Sequence, residues 1–248
     1  MSTLVLVRHG RTTANATGLL AGRSPGVSLD GTGREQAARA GARLAPVPLA
    51  AVVTSPLQRC RQTAQAIVAA RRDAPELRSE KGLTECDYGD WQGRELKELA
   101  RERLWKVVQQ QPSAAGFPGG ETLVAMQARA VEAVRRHDRA VEEAHGPHAV
   151  WVAVSHGDVI KSVLADALGM HLDLFQRIHV DPASVSVVHY GAARPSVLAM
   201  NTHEGDLGWL APPRRGRRGR SGRSGRAGDA VVGGGGGPTV DTDPSAGA

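Results

Sequence analysis

A short basic segment near the N-terminus, Arg8-His9-Gly10-Arg11, directly follows the apolar run Leu4 to Val7. A neutral imidazole is a nucleophile that can attack phosphorus, and guanidinium groups beside it disfavour the protonated ring. Guanidinium groups also bind a phosphoryl group through paired, charge-assisted hydrogen bonds. The segment therefore indicates phosphoryl chemistry with His9 as the candidate nucleophile, whereas the alternative interpretation is a charged strand end without a chemical role.

Three segments with reactive or charged side chains fall where apolar strands are predicted to end. They are His9 after Thr3 to Val7, Ser55 to Arg59 after Leu49 to Thr54, and Ser155-His156-Gly157 after Val150 to Val154. Ligand sites in open α/β sheets lie beyond the carboxyl ends of the strands. We therefore expect the three segments to converge, although they are far apart in the sequence.

Strand and helix patterns alternate along the chain, which is typical of an α/β fold. We predict a three-layer α/β/α domain over residues 1–211, with a mostly parallel central sheet and later strands at 184–189 and 197–200. The spacing of Thr32 and Glu35 predicts a capping box for a helix through Leu44, and Ser55-Pro56 predicts the start of a second helix. Two further helical stretches, 94–109 and 121–144, predict a helical insertion, about 94–145, that covers the active site.

Four segments together resemble the signatures of the histidine phosphatase, or phosphoglycerate mutase-like, superfamily. They are Arg8-His9-Gly10 with Thr12 and Asn15, Ser55-Pro56-Leu57-Gln58-Arg59-Cys60-Arg61-Gln62-Thr63-Ala64, Leu83-Thr84-Glu85 through Tyr88-Gly89-Asp90-Trp91-Gln92-Gly93, and Ser155-His156-Gly157. The resemblance covers roughly residues 3–200. Four signatures in order at strand ends are far more specific than a single Arg-His-Gly.

The resemblance implies a phosphate pocket and assigns its residues. His9 is the nucleophile, and the phosphoryl group is bound by Arg8, Asn15, Gly22, Arg59, His156 and Gly157. His156, at a helix N-terminus, is expected to donate to a phosphoryl oxygen, and backbone N–H groups there add donors. The transition state spreads charge over the equatorial oxygens, so fixed positive charge and positioning do most of the work.

The leaving alkoxide needs a proton, which a carboxylic acid with a raised pKa can supply. The resemblance implies Glu85 as this donor. Asp87 and Asp90 are close enough in sequence to serve instead, and a carboxylate here can also simply cap the following helix. Arg59 and His156 have structural alternatives as well, a solvated helix residue and a core histidine. A thiol beside Arg59 and Arg61 can have a lowered pKa, although Cys60 is more often just a small buried residue.

Charge and composition bound the remaining functions. The net charge is +6, but seven arginines and three aspartates lie in the last 37 residues, which leaves the other 211 residues near +2. We predict that this Arg/Gly-rich tail, 212–248, is disordered, because it has almost nothing apolar to bury. A protein that binds nucleic acid or another polyanion through the tail is therefore the alternative from a different class, with weak, nonspecific contact at most.

The two cysteines form no disulfide framework, and no membrane span or metal-ligand set is evident in the sequence. We expect a cytoplasmic enzyme without a metal or other cofactor, whose partner is a small-molecule phosphomonoester. Compared with the mutases of the superfamily that the chain resembles, Cys86 and Asp87 replace basic or polar positions that would hold a second acidic group. The resemblance therefore implies hydrolysis rather than phosphoglycerate mutase-type transfer. A homodimer is compatible with the sequence.

Overall fold

A six-stranded sheet forms the centre of the structure, a computed structural model that describes residues 2–72 and 75–203. The strands are β1 (Thr3–Arg8), β2 (Ala51–Thr54), β3 (Glu76–Ser79), β4 (Val150–Ser155), β5 (Val185–Tyr190) and β6 (Pro195–Thr202). Their order across the sheet is β3-β2-β4-β1-β5-β6, and β5 alone of the six runs against its neighbours. The predicted α/β fold with a mostly parallel sheet is confirmed.

Helices cover both faces of the sheet. The longer ones are α2 (Gly31–Leu44), α3 (Gln58–Ala69), α6 (Leu123–His145) and α7 (Gly157–Ala167). Side chains alternate between the faces of a strand, and in β1 Leu4 and Leu6 pack with α6 and α7, whereas Val5 and Val7 pack with α2 and α3. Burial on both faces explains why β1 is continuously apolar rather than alternating.

The predicted insertion is helical and contacts the loop that carries Glu85. It contains α4 (Leu96–Leu99), α5 (Arg103–Gln110) and α6, so the helix expected at 94–109 is broken in two. The remaining short helix, α1 (Thr13–Thr17), lies directly after β1 and outside the insertion. Arg129 of α6 donates hydrogen bonds to the carbonyls of Thr84 and Glu85 at 2.7 and 3.1 Å. The insertion thus supports one wall of the predicted site.

Both predicted helix starts are wrong. Helix α2 is capped by Asp30, whose carboxylate accepts a hydrogen bond from the Gly33 N–H at 2.7 Å, rather than by Thr32. Helix α3 begins at Gln58 without a side-chain cap, and the Ser55 hydroxyl is hydrogen-bonded to His156 at 2.8 Å and to the Leu57 N–H at 3.4 Å. Strand β3 was not predicted, since its four residues are all exposed and show no apolar pattern. The predicted disordered tail, 212–248, lies outside the described residues.

Candidate active site

The sheet brings the three predicted segments to one edge. Strands β2, β4 and β1 are neighbours, and they end within one residue of each other, since Arg8 pairs with Ser155 and Thr54 with Val154. Backbone hydrogen bonds continue just past the ends of β1 and β2, since the His9 N–H donates to the Ser155 carbonyl at 3.0 Å and the Ser55 N–H to the Val154 carbonyl at 2.9 Å. The predicted convergence of residues distant in sequence is therefore present in the structure.

Close backbone packing fixes the segment around His9. A Cβ atom added to Gly10 would lie 2.3 Å from the Gly33 carbonyl oxygen, and one added to Gly33 would lie 1.9 Å from the Arg11 carbonyl oxygen. Real Cβ atoms do not approach backbone oxygens this closely, so both positions require glycine. The N-terminal turn of α2 consequently holds the backbone beside His9 in place.

His9 is buried and held as a single neutral tautomer. Its Nδ1 lies 2.8 Å from the carbonyl oxygen of Gly10, which can only accept, so Nδ1 carries the proton. The Arg59 Nε donates to His9 Nε2 at 3.2 Å, so Nε2 carries the lone pair. Burial first, and then the charges of Arg59 and Arg8, hold the His9 pKa well below its usual value. The ring is therefore a neutral nucleophile with Nε2 as its reactive atom.

Arg59 connects the components of the site. It lies in the first turn of α3, is buried, and its Nη2 donates to the Gly22 carbonyl at 2.7 Å and to His156 Nδ1 at 3.1 Å. Gly22 has a φ of +49°, and an added Cβ would meet the Gln92 side chain at 2.6 Å. Gly22 thus contributes its carbonyl to holding Arg59, a role that the sequence alone did not indicate.

His156 caps the start of α7 and is fully buried, with its ring edge-on to His9 at 5.2 Å between centroids. Its Nδ1 accepts from Arg59, so the proton lies on Nε2 and is donated to the Ser55 hydroxyl at 2.8 Å. Burial and the Arg59 charge lower the His156 pKa well below its usual value. Both ring nitrogens are engaged in this state, so the expected donation to a phosphoryl oxygen requires one of these two hydrogen bonds to be given up. Because a hydroxyl can donate or accept, Ser55 permits either tautomer.

Arg8 supplies the second guanidinium. It is 1% exposed, and its Nη1 donates to the Val180 carbonyl at 2.8 Å. Burial lowers the Arg8 pKa, while the nearby carboxylates of Glu85, Asp181 and Asp158 act in the opposite direction. An arginine stays charged even when its pKa falls from so high a value. Two guanidinium groups and two histidines thus occupy one buried region.

Glu85 is the buried carboxyl group of the predicted acidic loop. It is 3% exposed, and its Oε1 accepts from the Cys86 N–H at 2.9 Å. Burial, followed by the charge of Asp158, raises the Glu85 pKa to about 7, against the lowering effects of the Cys86 N–H, Arg59 and Arg8. Asp87 is a third exposed and pairs with Arg23 at 3.3 Å. Burial and the raised pKa distinguish Glu85 from the two alternatives that the sequence left, the partly exposed Asp87 and the exposed Asp90.

The remaining predicted residues lie nearby with different contacts. The Asn15 side-chain oxygen accepts from the Thr12 N–H and hydroxyl at 3.1 and 2.9 Å, so it caps α1 in this structure. Gly157 is the buried first residue of α7. Burial raises the Cys60 pKa to about 12, so the lowered thiol pKa considered from the sequence is wrong.

Two other features bear on function. Within residues 2–72 and 75–203, no group of three or more His, Cys, Asp or Glu side chains is placed to hold a metal ion. In the same ranges, no helix is long and apolar enough to cross a membrane. Sequence reasoning placed Ser55 and Tyr88 in signature segments without assigning them a contact, and it did not single out the side chains of Asp158 and Lys161. Their contacts are visible only in three dimensions.

Comparisons with known proteins agree with this geometry. The protein-family model for the "Histidine phosphatase superfamily (branch 1)" matches residues 4–203 of this chain. Phosphoserine phosphatase 1 of Hydrogenobacter thermophilus is 30% identical over 206 residues, which cover 81% of this chain and 92% of that protein. The alpha-ribazole phosphatase structure from Shigella flexneri has a TM-score of 0.69 and 27% identity, covering 81% of this chain and 96% of its own.

A third relative is longer. The bifunctional protein Rv2228c of Mycobacterium tuberculosis is 34% identical over 211 residues, or 82% of this chain and 54% of that protein. The chain thus spans about half the length of the first curated relatives that it matches.

Proposed function

We propose that this chain, which belongs to the histidine phosphatase superfamily, hydrolyses phosphomonoesters of small metabolites through a phosphohistidine at His9, without a metal. One observation carries the proposal. The His9 Nε2 lone pair lies in a buried region with two guanidinium groups, Arg8 and Arg59, and with Glu85, a carboxyl group whose pKa is about 7. This set contains a nucleophile, an anion-binding pair and an acid, which together are what a phosphomonoesterase requires.

The first half of the reaction forms the phosphohistidine. Arg8 and Arg59 bind the phosphoryl oxygens, and each charge-assisted hydrogen bond is worth about 1.5–3 kcal/mol. His9 Nε2 attacks phosphorus, the bond from phosphorus to the ester oxygen breaks, and Glu85 donates its proton to the departing alkoxide. The free alcohol leaves, and the phosphoryl group remains on His9.

The second half regenerates the enzyme. Glu85 is now a carboxylate, and it takes a proton from the water that attacks the phosphohistidine. The bond from phosphorus to Nε2 breaks, inorganic phosphate leaves, and His9 returns to its neutral form while Glu85 is again protonated. Substrate binding assists the first step, because the negative phosphoryl group offsets the charges of Arg8 and Arg59 that otherwise lower the Glu85 pKa.

The substrate class is proposed from the same site and from the relatives. A phosphoserine phosphatase that the chain matches over most of both lengths supports a small phosphomonoester as substrate. Asp87, paired with Arg23, and the buried Cys86 offer no cationic partner for a second acidic group. This favours hydrolysis over mutase-type transfer. The catalytic domain 1–211, the tail, the cytoplasmic location and a homodimer remain predictions from the sequence.

The proposal is tested with a panel of sugar, inositol, nucleotide, amino-acid and glycerate phosphates in the presence of a chelator. We expect phosphate release that the chelator does not reduce and that His9→Ala abolishes. His148→Ala, which removes an exposed histidine, is the matched control and should retain turnover. Full loss of activity with the chelator would contradict the metal-independent mechanism, and transfer to phosphoglycerate with a bisphosphate primer would indicate a mutase instead.

A further inference from the structure

We propose that Glu121 is a positioning residue for Glu85, and that it acts through two arginines that bind the main chain of the loop carrying Glu85. The inference rests on the function proposed above, in which Glu85 protonates the leaving group. The side chains concerned form one group of ion pairs, which we call the Glu121 cluster: Glu121, Arg23, Arg129 and Asp87.

Two guanidinium groups bind the main-chain carbonyl of Glu85. Its oxygen accepts a hydrogen bond from Arg23 Nε at 2.9 Å and another from Arg129 Nη2 at 3.1 Å. A carbonyl oxygen has two lone pairs, so it can accept both. Arg129 Nη1 also donates to the carbonyls of Gly82 and Thr84, at 2.8 and 2.7 Å. Because the Glu85 carboxyl extends from this main chain, the two arginines limit where the carboxyl can lie.

The Glu121 carboxylate holds both arginines. Its Oε1 accepts from Arg23 Nη2 at 2.8 Å and from Arg129 Nη2 at 2.5 Å, while its Oε2 accepts from Arg129 Nε at 3.0 Å. The paired contact with Arg129 fixes the orientation of that guanidinium as well as its distance. Two cations that share one acceptor repel each other, and a carboxylate between them offsets the repulsion. Glu121 therefore keeps both donors together on the Glu85 carbonyl.

The backbone around Glu121 is itself held against the acidic loop. The Glu121 N–H donates to the Asp87 carbonyl at 2.9 Å, and the Glu121 Oε1 accepts from the Asp87 N–H at 2.9 Å. A Cβ atom added to Gly120 would lie 2.2 Å from the Asp87 carbonyl oxygen, which leaves room for glycine alone. The carboxylate thus starts from a fixed backbone position.

The Glu121 cluster also reaches the phosphate pocket. Arg23 follows Gly22, whose carbonyl accepts a hydrogen bond from Arg59 Nη2 at 2.7 Å. The Arg23 N–H donates to Gln92 Oε1 at 2.5 Å, which holds this part of the chain in place. Arg23 therefore connects the Glu85 loop to the residue that binds Arg59. A displacement of about 1 Å between reacting groups can lower a rate by about 10²-fold, so this connection matters for the reaction.

Exposure indicates that the cluster contributes more to the reaction than to stability. The side chains of Glu121, Arg23 and Arg129 are 18, 33 and 23% exposed. Ion pairs that water reaches contribute little to stability on average. General acid catalysis contributes about 10²- to 10⁴-fold and requires the acid to lie within hydrogen-bond reach of the leaving oxygen. A small displacement of Glu85 would therefore be costly, although the loss of the ion pairs would not be.

The test compares Glu121→Gln with Asp166→Asn. Glu121→Gln keeps the length of the side chain and an oxygen for the Asp87 N–H, but it removes the charge that holds the two arginines. Asp166 of α7 pairs with Arg135 of α6 at 2.8 Å, so Asp166→Asn removes a carboxylate–arginine pair elsewhere. The ratio kcat/KM reports the steps through phosphoryl transfer to His9. For an alkyl phosphate we expect it to fall about ten- to a hundredfold in Glu121→Gln and to keep its native value in Asp166→Asn.

The leaving group separates a displaced acid from a merely structural role. A nitrophenolate leaves without a proton, so kcat/KM for a nitrophenyl phosphate should fall less than about threefold in Glu121→Gln. Equal losses for both esters would overturn the inference. Glu121→Asp keeps the charge but draws the carboxylate back by one methylene, so it should give a smaller loss with the same dependence on the leaving group. This milder variant carries the test if Glu121→Gln does not fold.

Hydrogen exchange distinguishes this inference from the proposed function. Amide exchange in the segment 83–88, measured by mass spectrometry without substrate, reports how firmly the Glu85 loop is held. We expect exchange there to be at least severalfold faster in Glu121→Gln and to be native in Asp166→Asn. Unchanged exchange in Glu121→Gln would overturn the inference even if the enzyme is active. Faster exchange in a protein without phosphatase activity would instead contradict only the proposed function.

Discussion

Replacing Arg59 by methionine perturbs the centre of the site, because its guanidinium contacts His9 Nε2, the Gly22 carbonyl and His156 Nδ1 at 3.2, 2.7 and 3.1 Å. Loss of two charge-assisted hydrogen bonds to the phosphoryl group, about 1.5–3 kcal/mol each, removes about 3–6 kcal/mol of transition-state stabilisation. This corresponds to a fall in kcat/KM of about 10²- to 10⁴-fold.

Arg59→Met also changes the pH dependence with a defined sign. The Arg59 charge lowers the His9 pKa, so its removal lets that pKa rise, and the acid limb of kcat/KM moves to higher pH. Arg59→Lys keeps the charge but loses the planar, two-pronged donor, so it should lose rate while its acid limb stays near the native position. Steady-state kinetics from pH 4.5 to 9 on folded variants measure both effects. A loss below about tenfold for Arg59→Met, or an acid limb that does not move, would refute this reasoning.

Three further predictions concern stability and domain organisation. Gly33→Ala should lower the free energy of unfolding by about 1–3 kcal/mol or more, because its Cβ would lie 1.9 Å from the Arg11 carbonyl oxygen. The control, Gly31→Ala, places its Cβ in open space and should be neutral or stabilising. Equal free energies of unfolding for the two variants in urea would contradict the close packing at Gly33. The pKa values of His9 and His156 are lowered in the folded state, so the unfolded chain binds more protons than the folded protein below the unfolded pKa of about 6.5. The free energy of unfolding should therefore be unaffected by these rings above that pH and should fall below it, by up to about 1.4 kcal/mol per pH unit for each ring. Urea unfolding at pH 7, 6 and 5 should show a shallower pH dependence in His9→Gln, and a dependence identical to that of the native protein would count against a buried neutral ring. Truncation after Pro213 should leave hydrolysis unchanged and abolish any retention of RNA or DNA at low salt, and reduced turnover would contradict the division at residue 211.

Much of the site could be predicted because strand ends are readable from sequence. The apolar runs before His9, Ser55 and His156 locate three buried strands, and neighbouring parallel strands end at the same edge of a sheet. The choice of Glu85 over Asp87 could not be made in this way. It depends on which carboxyl group is buried and which pairs with Arg23, and these are properties of the folded loop.

Other features escaped prediction for identifiable reasons. Strand β3 is an exposed edge strand whose residues face solvent, so it lacks the apolar pattern by which strands are recognised. Ser55 reads as a helix cap, and only the folded structure shows its hydroxyl bound to His156. The contact between Tyr88 and Asp158 joins residues 70 positions apart, and no local pattern encodes it.

The most direct test of the account is to trap the phosphorylated enzyme. The protein is mixed rapidly with a phosphomonoester carrying labelled phosphorus and quenched in alkaline detergent, and the labelled peptide is identified by mass spectrometry. We predict a label that is stable in base, lost in acid and located on His9, that is absent in His9→Ala, and that accumulates in Glu85→Gln with a nitrophenyl ester because water attack slows. Undiminished turnover in His9→Ala, with no labelled histidine in the native protein, would contradict the mechanism.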